Sequence, residues 1–98
     1  MGRGPTPTVY THYARDMRTS PTERQLRTAA QMTADILASR LADLRHARDW
    51  SQDDLARRAG VDRKTVNRIE KGHFSPSLDT LVRLSVALSC TLSSLVGK

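Results

Sequence analysis

The chain has few cysteines and few aromatic residues, and both shortages restrict what it can be. Cys90 is the one cysteine among 98 residues, so no internal disulfide can form and the chain suits a reducing cytoplasm. We expect Cys90 to be a small packed side chain, because no base or ligand cluster accompanies it. Aromatic residues make up 4% of the chain, which argues against single-stranded RNA recognition by base stacking.

Long apolar runs and clustered chemical groups are also missing. No run approaches a membrane span, and the stretch 1–5 lacks a signal peptide's apolar region. His12, His46 and His73 have no metal-ligand spacing with one another or with Cys90. No nucleophile, base and orienting group occur at a catalytic spacing, and no phosphate-binding loop is present. We therefore expect a soluble, cytoplasmic protein without metal, cofactor, membrane partner or enzymatic activity.

Positive charge is what the chain has in excess. Lysine and arginine number 16 against 10 acidic residues, for a net charge of +6. This excess favours a polyanionic partner, either nucleic acid or an anionic membrane surface, although plain solubility would also account for it. A chain of this length can form one domain with a modest core and a further segment.

The first third of the chain divides into an arm and a helical segment. Residues 1–20 offer little to bury and carry several arginines, which predicts a flexible basic arm. Order is expected to begin where Ser20 can cap a helix, Pro21 can occupy its first position and Glu23 can complete a capping box.

An apolar stripe at helical spacing continues from there to about residue 48. Its members are Leu26, Ala30, Thr33, Leu37, Leu41 and Leu44. The pattern allows one helix over 21–48, or two helices that break at Met32–Thr33 with Thr33 as a cap. We favour two, because helices of nearly 30 residues are uncommon. Residues 21–33 are then an N-terminal helical extension, and residues 34–98 form the main domain.

Four short helices are predicted downstream by caps and glycine stops. Ser51 with Asp54 begins a helix that Gly60 ends. The other three are expected to run from Asp62 to Glu70, from Ser77 to Leu88 and from Thr91 to about Val96. No strand pattern and no internal repeat is found, so the predicted fold is all-α.

Residues Ser51 to Gly72 have the layout of a helix-turn-helix, in which two short helices meet at a steep angle. A small residue is needed where the helices cross, and Ala56 is there. Gly60 can adopt the left-handed backbone that turns the chain. The apolar inner faces are Leu55, Ala59, Val61, Val66 and Ile69. Each feature alone is weak, whereas the combination at these spacings is strong.

On these residues the chain resembles the lambda-repressor-like (Cro/C1-type, XRE-type) DNA-binding family. The likeness runs from about Leu37 to Val96 and does not cover residues 1–33. Its segments are Leu41 to Trp50, Ser51 to Ala56, Thr65 to Gly72 and Pro76 to Leu81. Asp49 stands where the family usually has glycine, and aspartate tolerates left-handed backbone. The resemblance implies a five-helix DNA-binding domain, preceded here by an extra helix and a basic arm.

The resemblance also implies which residues meet DNA, because the second motif helix of that family enters the major groove. The candidates for base contacts are Arg63, Lys64, Thr65, Arg68 and Asn67, the last of which could instead meet phosphate. The candidates for phosphate contacts are Ser51, Gln52, Lys71 and His73. Arginine and lysine can donate to guanine acceptors, and threonine can contact a thymine methyl. Arg57 and Arg58 are expected to form a solvated face.

Two further expectations concern structure: one follows from the resemblance, and the other from the size of Trp50. The resemblance places Arg45 against Glu70, a pairing that would neutralise a carboxylate at the unfavourable end of a helix. Trp50 is expected to fill the core under the first domain helix and not to stack on a ligand.

The sequence therefore predicts a sequence-specific regulator of transcription, acting as a repressor that binds an inverted repeat in double-stranded DNA as a homodimer. One recognition helix reads only about four to six base pairs, and two-fold symmetry doubles that number. The dimer candidates are Leu26, Ala30, Leu92, Leu95 and Val96. The alternative is an antitoxin-like module whose extension holds a protein partner and which also binds its own promoter. RNA binding is a third, weaker hypothesis, with Phe74 as its stacking residue.

Overall fold

The computed structural model describes residues 20–97, which form five α-helices and no strand. In chain order these are α1 (Glu23–Ala47), α2 (Gln52–Ala59), α3 (Arg63–Glu70), α4 (Leu78–Ala87) and α5 (Leu92–Val96). The prediction of an all-α fold is confirmed. The arm predicted for residues 1–20 lies, apart from Ser20, outside the described residues. No helix in the described part is long and apolar enough to cross a membrane.

The helix α1 is continuous, so the break predicted at Met32–Thr33 is wrong. The Thr33 hydroxyl donates to the Ala29 carbonyl at 2.9 Å, the back-bond that a threonine makes inside a helix. A capping threonine would instead accept from a backbone amide in the turn that follows it. The predicted extension and the first domain helix are therefore one element of 25 residues.

The start of α1 also differs from the prediction. Thr22 is the N-cap, and its hydroxyl accepts from the Gln25 amide at 3.1 Å. The Gln25 side chain returns the contact by accepting from the Thr22 amide at 2.8 Å. This is a capping box two residues beyond the one predicted from Ser20, because threonine and glutamine supply the same chemistry as serine and glutamate.

The caps predicted for α2, α4 and α5 are confirmed, since Ser51, Ser77 and Thr91 each accept from a backbone amide of the following turn. Ser51 and Asp54 form the capping box of α2, and Gly60 ends that helix with φ 71°. Asp49, which replaces the family's usual glycine, has φ 58°. Aspartate is among the few non-glycine residues that tolerate this backbone.

The core lies between the five helices, with α1 packed on α3 and α5, and α2 packed on α3 and α4. Its fully buried large side chains are Leu41, Leu55, Val66, Ile69, Leu84, Leu88 and Leu95. Trp50 packs against this core as predicted, yet it is only half-buried. The Arg58 guanidinium lies 4.3 Å from the centroid of its ring, a cation–π contact that covers the exposed part.

Two arginines of the α1 region hold the later helices in place by donating hydrogen bonds to backbone carbonyls. Arg48 donates to the Leu88 carbonyl just after α4, and Arg40 donates to the Ser94 carbonyl in α5, each at 2.5 Å. Carbonyls near helix C-termini lack partners within the helix, so cationic donors satisfy them well. Sequence reasoning gave neither arginine this role.

Candidate nucleic-acid interface

The two motif helices meet through a tight turn, which confirms the predicted helix-turn-helix. Ala56 is 2% exposed at the crossing, and its carbonyl accepts from the Val61 amide at 2.9 Å. A Cβ on Gly60 would lie 2.9 Å from Nη1 of Arg83. The positive φ of 71° is what favours glycine at position 60, because the Arg83 guanidinium ends a flexible side chain that can move aside.

The second motif helix, α3, is apolar on one side and basic on the other. Val66 and Ile69 are buried in the core. The cationic side chains of Arg63, Lys64 and Arg68 are exposed, and the Arg68 guanidinium lies 5.7 Å from the centroid of the Phe74 ring. This surface has the charge and the hydrogen-bond donors that guanine edges require.

The start of α3 differs slightly from the prediction. Asp62 occupies the N-cap position, as predicted, but its side chain makes no capping hydrogen bond, and the first turn holds no acidic residue. Thr65 is half-buried one turn into the helix. The positive end of this helix is therefore not neutralised by acidic residues in its first turn.

Arg45 and Glu70 form the predicted pair. Nε and Nη2 of Arg45 donate to the two carboxylate oxygens of Glu70, each at 2.8 Å, and the two side chains are 10% and 8% exposed. Burial on its own raises the pKa of Glu70, but hydrogen bonds from Arg45 and Gln52 outweigh it and hold that pKa below its ordinary value. The pair therefore fixes the end of α3 against α1 and α2 while keeping Glu70 ionised.

A hydrogen-bond chain that sequence reasoning missed extends from this pair to the motif surface. Gln52 Nε2 donates to Glu70 Oε1 at 3.0 Å. Asn67 Nδ2 donates to Gln52 Oε1 at 3.1 Å. The structure thus brings together one candidate for phosphate and one for bases, and it joins both to the ion pair. Only the fold reveals this link, because Gln52 lies 15 residues from Asn67 and 18 from Glu70 in the sequence.

The remaining phosphate candidates border the same surface. Ser51 uses its hydroxyl to accept from the Asp54 amide at 3.0 Å, and it keeps an exposed position at the start of α2. Lys71 and His73 are exposed on either side of Gly72, which is buried with φ 75°. Lys71 and His73 follow the C-terminal end of α3. Ser51 precedes Gln52, which contacts Asn67 and Glu70, so these candidates border the C-terminal half of α3.

The N-terminal half of α1 contacts this loop, which the sequence did not suggest. Gln31 Nε2 donates to the Gly72 carbonyl at 3.0 Å and to Asp35 at 2.9 Å. A Cβ on Gly72 would lie 3.1 Å from Asp35 Oδ1. The segment predicted as an extension therefore braces the loop that carries Lys71 and His73.

The arginines on the outer face of α2 are occupied by neighbours. Arg57 donates to Asp54 at 2.7 Å and lies 3.4 Å from Asp53, with its side chain 67% exposed. Arg58 covers Trp50. Within the described residues, no group of three or more histidine, cysteine or acidic residues is placed to hold a metal ion.

The predicted dimer residues do not share one surface. Leu95 is fully buried in the core of its own chain, so its assignment to a dimer surface is wrong. Leu92 and Val96 are half-buried, whereas Leu26 and Ala30 are exposed on α1. The large exposed apolar residues form two groups, Leu26, Met32 and Ile36 on α1 and Leu78, Val82 and Val86 on α4.

Acid should destabilise the domain through Asp54. The Ser51 backbone amide and the Arg57 side chain donate to this carboxylate and lower its pKa from 3.8 to about 2. A pKa that is lower in the folded state stabilises the fold above the unfolded value and stops doing so as the pH falls through the folded one. We expect the melting temperature to fall between pH 4 and pH 2, and Asp54→Asn to make that fall shallower. Parallel pH curves for the two proteins, followed by circular dichroism, would show that Asp54 has no such role.

Comparison with known proteins agrees with this geometry. The helix-turn-helix family HTH_3 matches residues 41–95, more than half of the chain. The cryptic phage CTXphi transcriptional repressor RstR of Vibrio cholerae is 34% identical over 62 residues, which cover 63% of this chain and 56% of that protein. The HTH-type transcriptional regulator SutR of Escherichia coli is 32% identical over 64 residues, which cover 65% of this chain and 36% of the relative.

Solved structures show the same fold. A hypothetical transcription factor from Neisseria superposes with a TM-score of 0.64 at 28% identity, over 68% of this chain and 77% of that one. The restriction-modification controller protein C.AhdI of Aeromonas hydrophila superposes with a TM-score of 0.61 at 34% identity, over 63% of this chain and 94% of that one.

The matched region is one domain, and it spans 56% and 36% of the lengths of RstR and SutR. Its family is one of DNA-binding regulators, which confirms for this domain the prediction that it is not an enzyme. The lambda-repressor-like resemblance drawn from residues 37–96 is confirmed in the same way. This chain belongs to the helix-turn-helix family HTH_3.

Proposed function

We propose that this protein is a sequence-specific, double-stranded DNA-binding repressor of transcription that acts as a homodimer on an inverted repeat. The observation that carries the proposal is the exposed basic face of α3, held on the motif by the buried Arg45–Glu70 pair. Relatives named as a transcriptional repressor and a transcriptional regulator support it.

The residues divide into two groups by their contacts. Arg63, Lys64, Thr65 and Arg68 read base edges in the major groove, where arginine and lysine donate to guanine. The phosphate-contacting group is Ser51, Gln52, Lys71 and His73. Their positions at the start of α2 and after α3 support contacts to the DNA backbone beside the groove that α3 enters.

Duplex binding is expected to depend steeply on salt. Neutralising about four to six phosphates releases counterions and gives a slope of log affinity against log salt of roughly −4 to −5. Fluorescence anisotropy with a labelled duplex measures this slope, with an RNA hairpin of the same sequence as the competing ligand. A flat response to salt, or equal affinity for the hairpin, would contradict the proposal.

The homodimer uses the exposed apolar group of α1, because large exposed apolar side chains commonly mark a protein interface. Leu26→Glu together with Ile36→Glu should shift the protein to monomer in sedimentation experiments and weaken binding to an inverted repeat. The matched control is Val82→Glu with Val86→Glu on α4, which changes the same number of exposed apolar residues to the same charge. If only the α4 variant dissociates, the interface lies on α4 and the proposal for α1 is wrong. If neither variant dissociates, both surfaces are rejected.

A further inference from the structure

We infer that Asn67 is a positioning residue for the phosphate anchor Gln52 and does not read bases. The inference rests on the proposed DNA-binding function. It changes the role of Asn67 from the one expected by its place on the recognition helix. The inference rests on three linked contacts, from Arg45 to Glu70, from Gln52 to Glu70 and from Asn67 to Gln52. The donor and acceptor atoms in each contact determine those in the next.

The chain of contacts starts at a fixed charge. Arg45 occupies both carboxylate oxygens of Glu70 and also donates to the Trp50 carbonyl at 2.9 Å. Arginine has only donors, and an ionised carboxylate has only acceptors. Glu70 is thus held as an anion whose remaining lone pairs can receive further donors.

The orientation of the Gln52 side-chain amide follows from the negative charge of Glu70. Only the amide nitrogen of Gln52 can donate to Glu70, and the contact measures 3.0 Å. Its oxygen must then face the other way, toward Asn67. Only the amide nitrogen of Asn67 can donate to that oxygen, and this contact measures 3.1 Å. The charge of Glu70 therefore sets the orientation of both amides, and it identifies which atom of each is the oxygen and which is the nitrogen.

The consequence for Gln52 is a side chain whose amide is held at both its nitrogen and its oxygen. One N–H of its amide is used on Glu70, which leaves a single N–H for a phosphate oxygen. Asn67 holds the other end of the amide, so this donor is oriented before DNA arrives. Without Asn67 the side chain would have to be ordered on binding, and that entropy costs affinity.

The consequence for Asn67 is that one N–H of its amide is already used on Gln52, which sets the direction of its side chain. Its side chain points a donor back to α2, and the residue is half-buried. Arg63 and Lys64 are by contrast exposed, and no hydrogen bond or ion pair is seen for their side chains in the described part of the chain. Base reading and anchor positioning thus belong to different residues of α3.

A double-mutant cycle separates these roles. Gln52→Ala, Asn67→Ala and the double variant are titrated against a preferred duplex and against duplexes with single base changes. We expect Asn67→Ala to weaken every duplex by about three- to tenfold, with the order of preference unchanged. In the Gln52→Ala background the same change should have no further effect, because the residue it positions is gone. Arg63→Ala serves as the reference for a base-reading residue.

The inference is overturned if Asn67→Ala changes the order of preference as Arg63→Ala does, or if its effect adds fully to that of Gln52→Ala. A readout without DNA separates this failure from failure of the proposed function. In nuclear magnetic resonance spectra, Asn67→Ala should move the Gln52 side-chain amide signals toward those of a free glutamine. Unchanged Gln52 signals in a folded variant would also contradict the inference, whatever the protein binds.

Discussion

Arg45→Ala is expected to lower the free energy of unfolding by about 3 kcal/mol, a large part of the stability of a small domain. The substitution leaves Glu70 charged and 8% exposed, without the two 2.8 Å hydrogen bonds that balance its desolvation. It also removes the donor to the Trp50 carbonyl. The loss should appear as a melting temperature lower by roughly 10 °C or more.

A surface ion pair of the same helix provides the matched control. Arg27 lies 3.6 Å from Glu23 in α1, and both side chains are about 70% exposed (69% and 73%). Exposed pairs contribute about 0–1 kcal/mol, so Arg27→Ala should change little. Similar denaturation midpoints for Arg45→Ala and Arg27→Ala would show that burial of the Arg45–Glu70 pair does not matter for stability.

Arg63→Ala and Lys64→Ala are expected to relax the base preference of the protein, at a cost of about 1–3 kcal/mol on its preferred site. Both side chains are exposed at the start of α3, and the first residues of a recognition helix are those that reach base edges. Competition titrations with single-base variants of the preferred duplex measure the effect.

Two control variants separate the loss of base preference from a general loss of affinity. Gln52→Ala should weaken all duplexes by a similar factor, because phosphate contacts carry no direct sequence information. Arg57→Ala removes an arginine that is paired with Asp53 and Asp54 on the outer face of α2, and it should leave the preference unchanged. An unaltered preference in Arg63→Ala would mean that α3 is not the base-reading element.

Local chemistry explains why the motif could be predicted from the sequence. Caps and turns depend on residues three or four apart, so Ser51 with Asp54 and the positive φ at Gly60 are encoded nearby in the chain. Asp49 follows the same logic, since few side chains tolerate its backbone. The inward positions of α2 and α3 follow from helical periodicity.

The features that the sequence did not reveal depend on tertiary packing. Thr33 has the chemistry of both a cap and a helix-interior residue, and its place in the continuous α1 decided between them. The family resemblance predicts Leu95 on a dimer surface, yet it is fully buried in the core of its own chain. The link between Gln52 and Asn67 arises only when α2 and α3 cross.

The central claim is that the exposed face of α3 reads duplex sequence, and selection from a pool of random duplexes tests it most directly. The purified chain is incubated with the pool at moderate salt, and bound fragments are sequenced over several rounds beside the Arg63→Ala variant. We predict enrichment of an inverted repeat with half-sites about one helical turn apart, weakened or altered in Arg63→Ala. Bound fragments that remain as diverse as the input pool would contradict the claim.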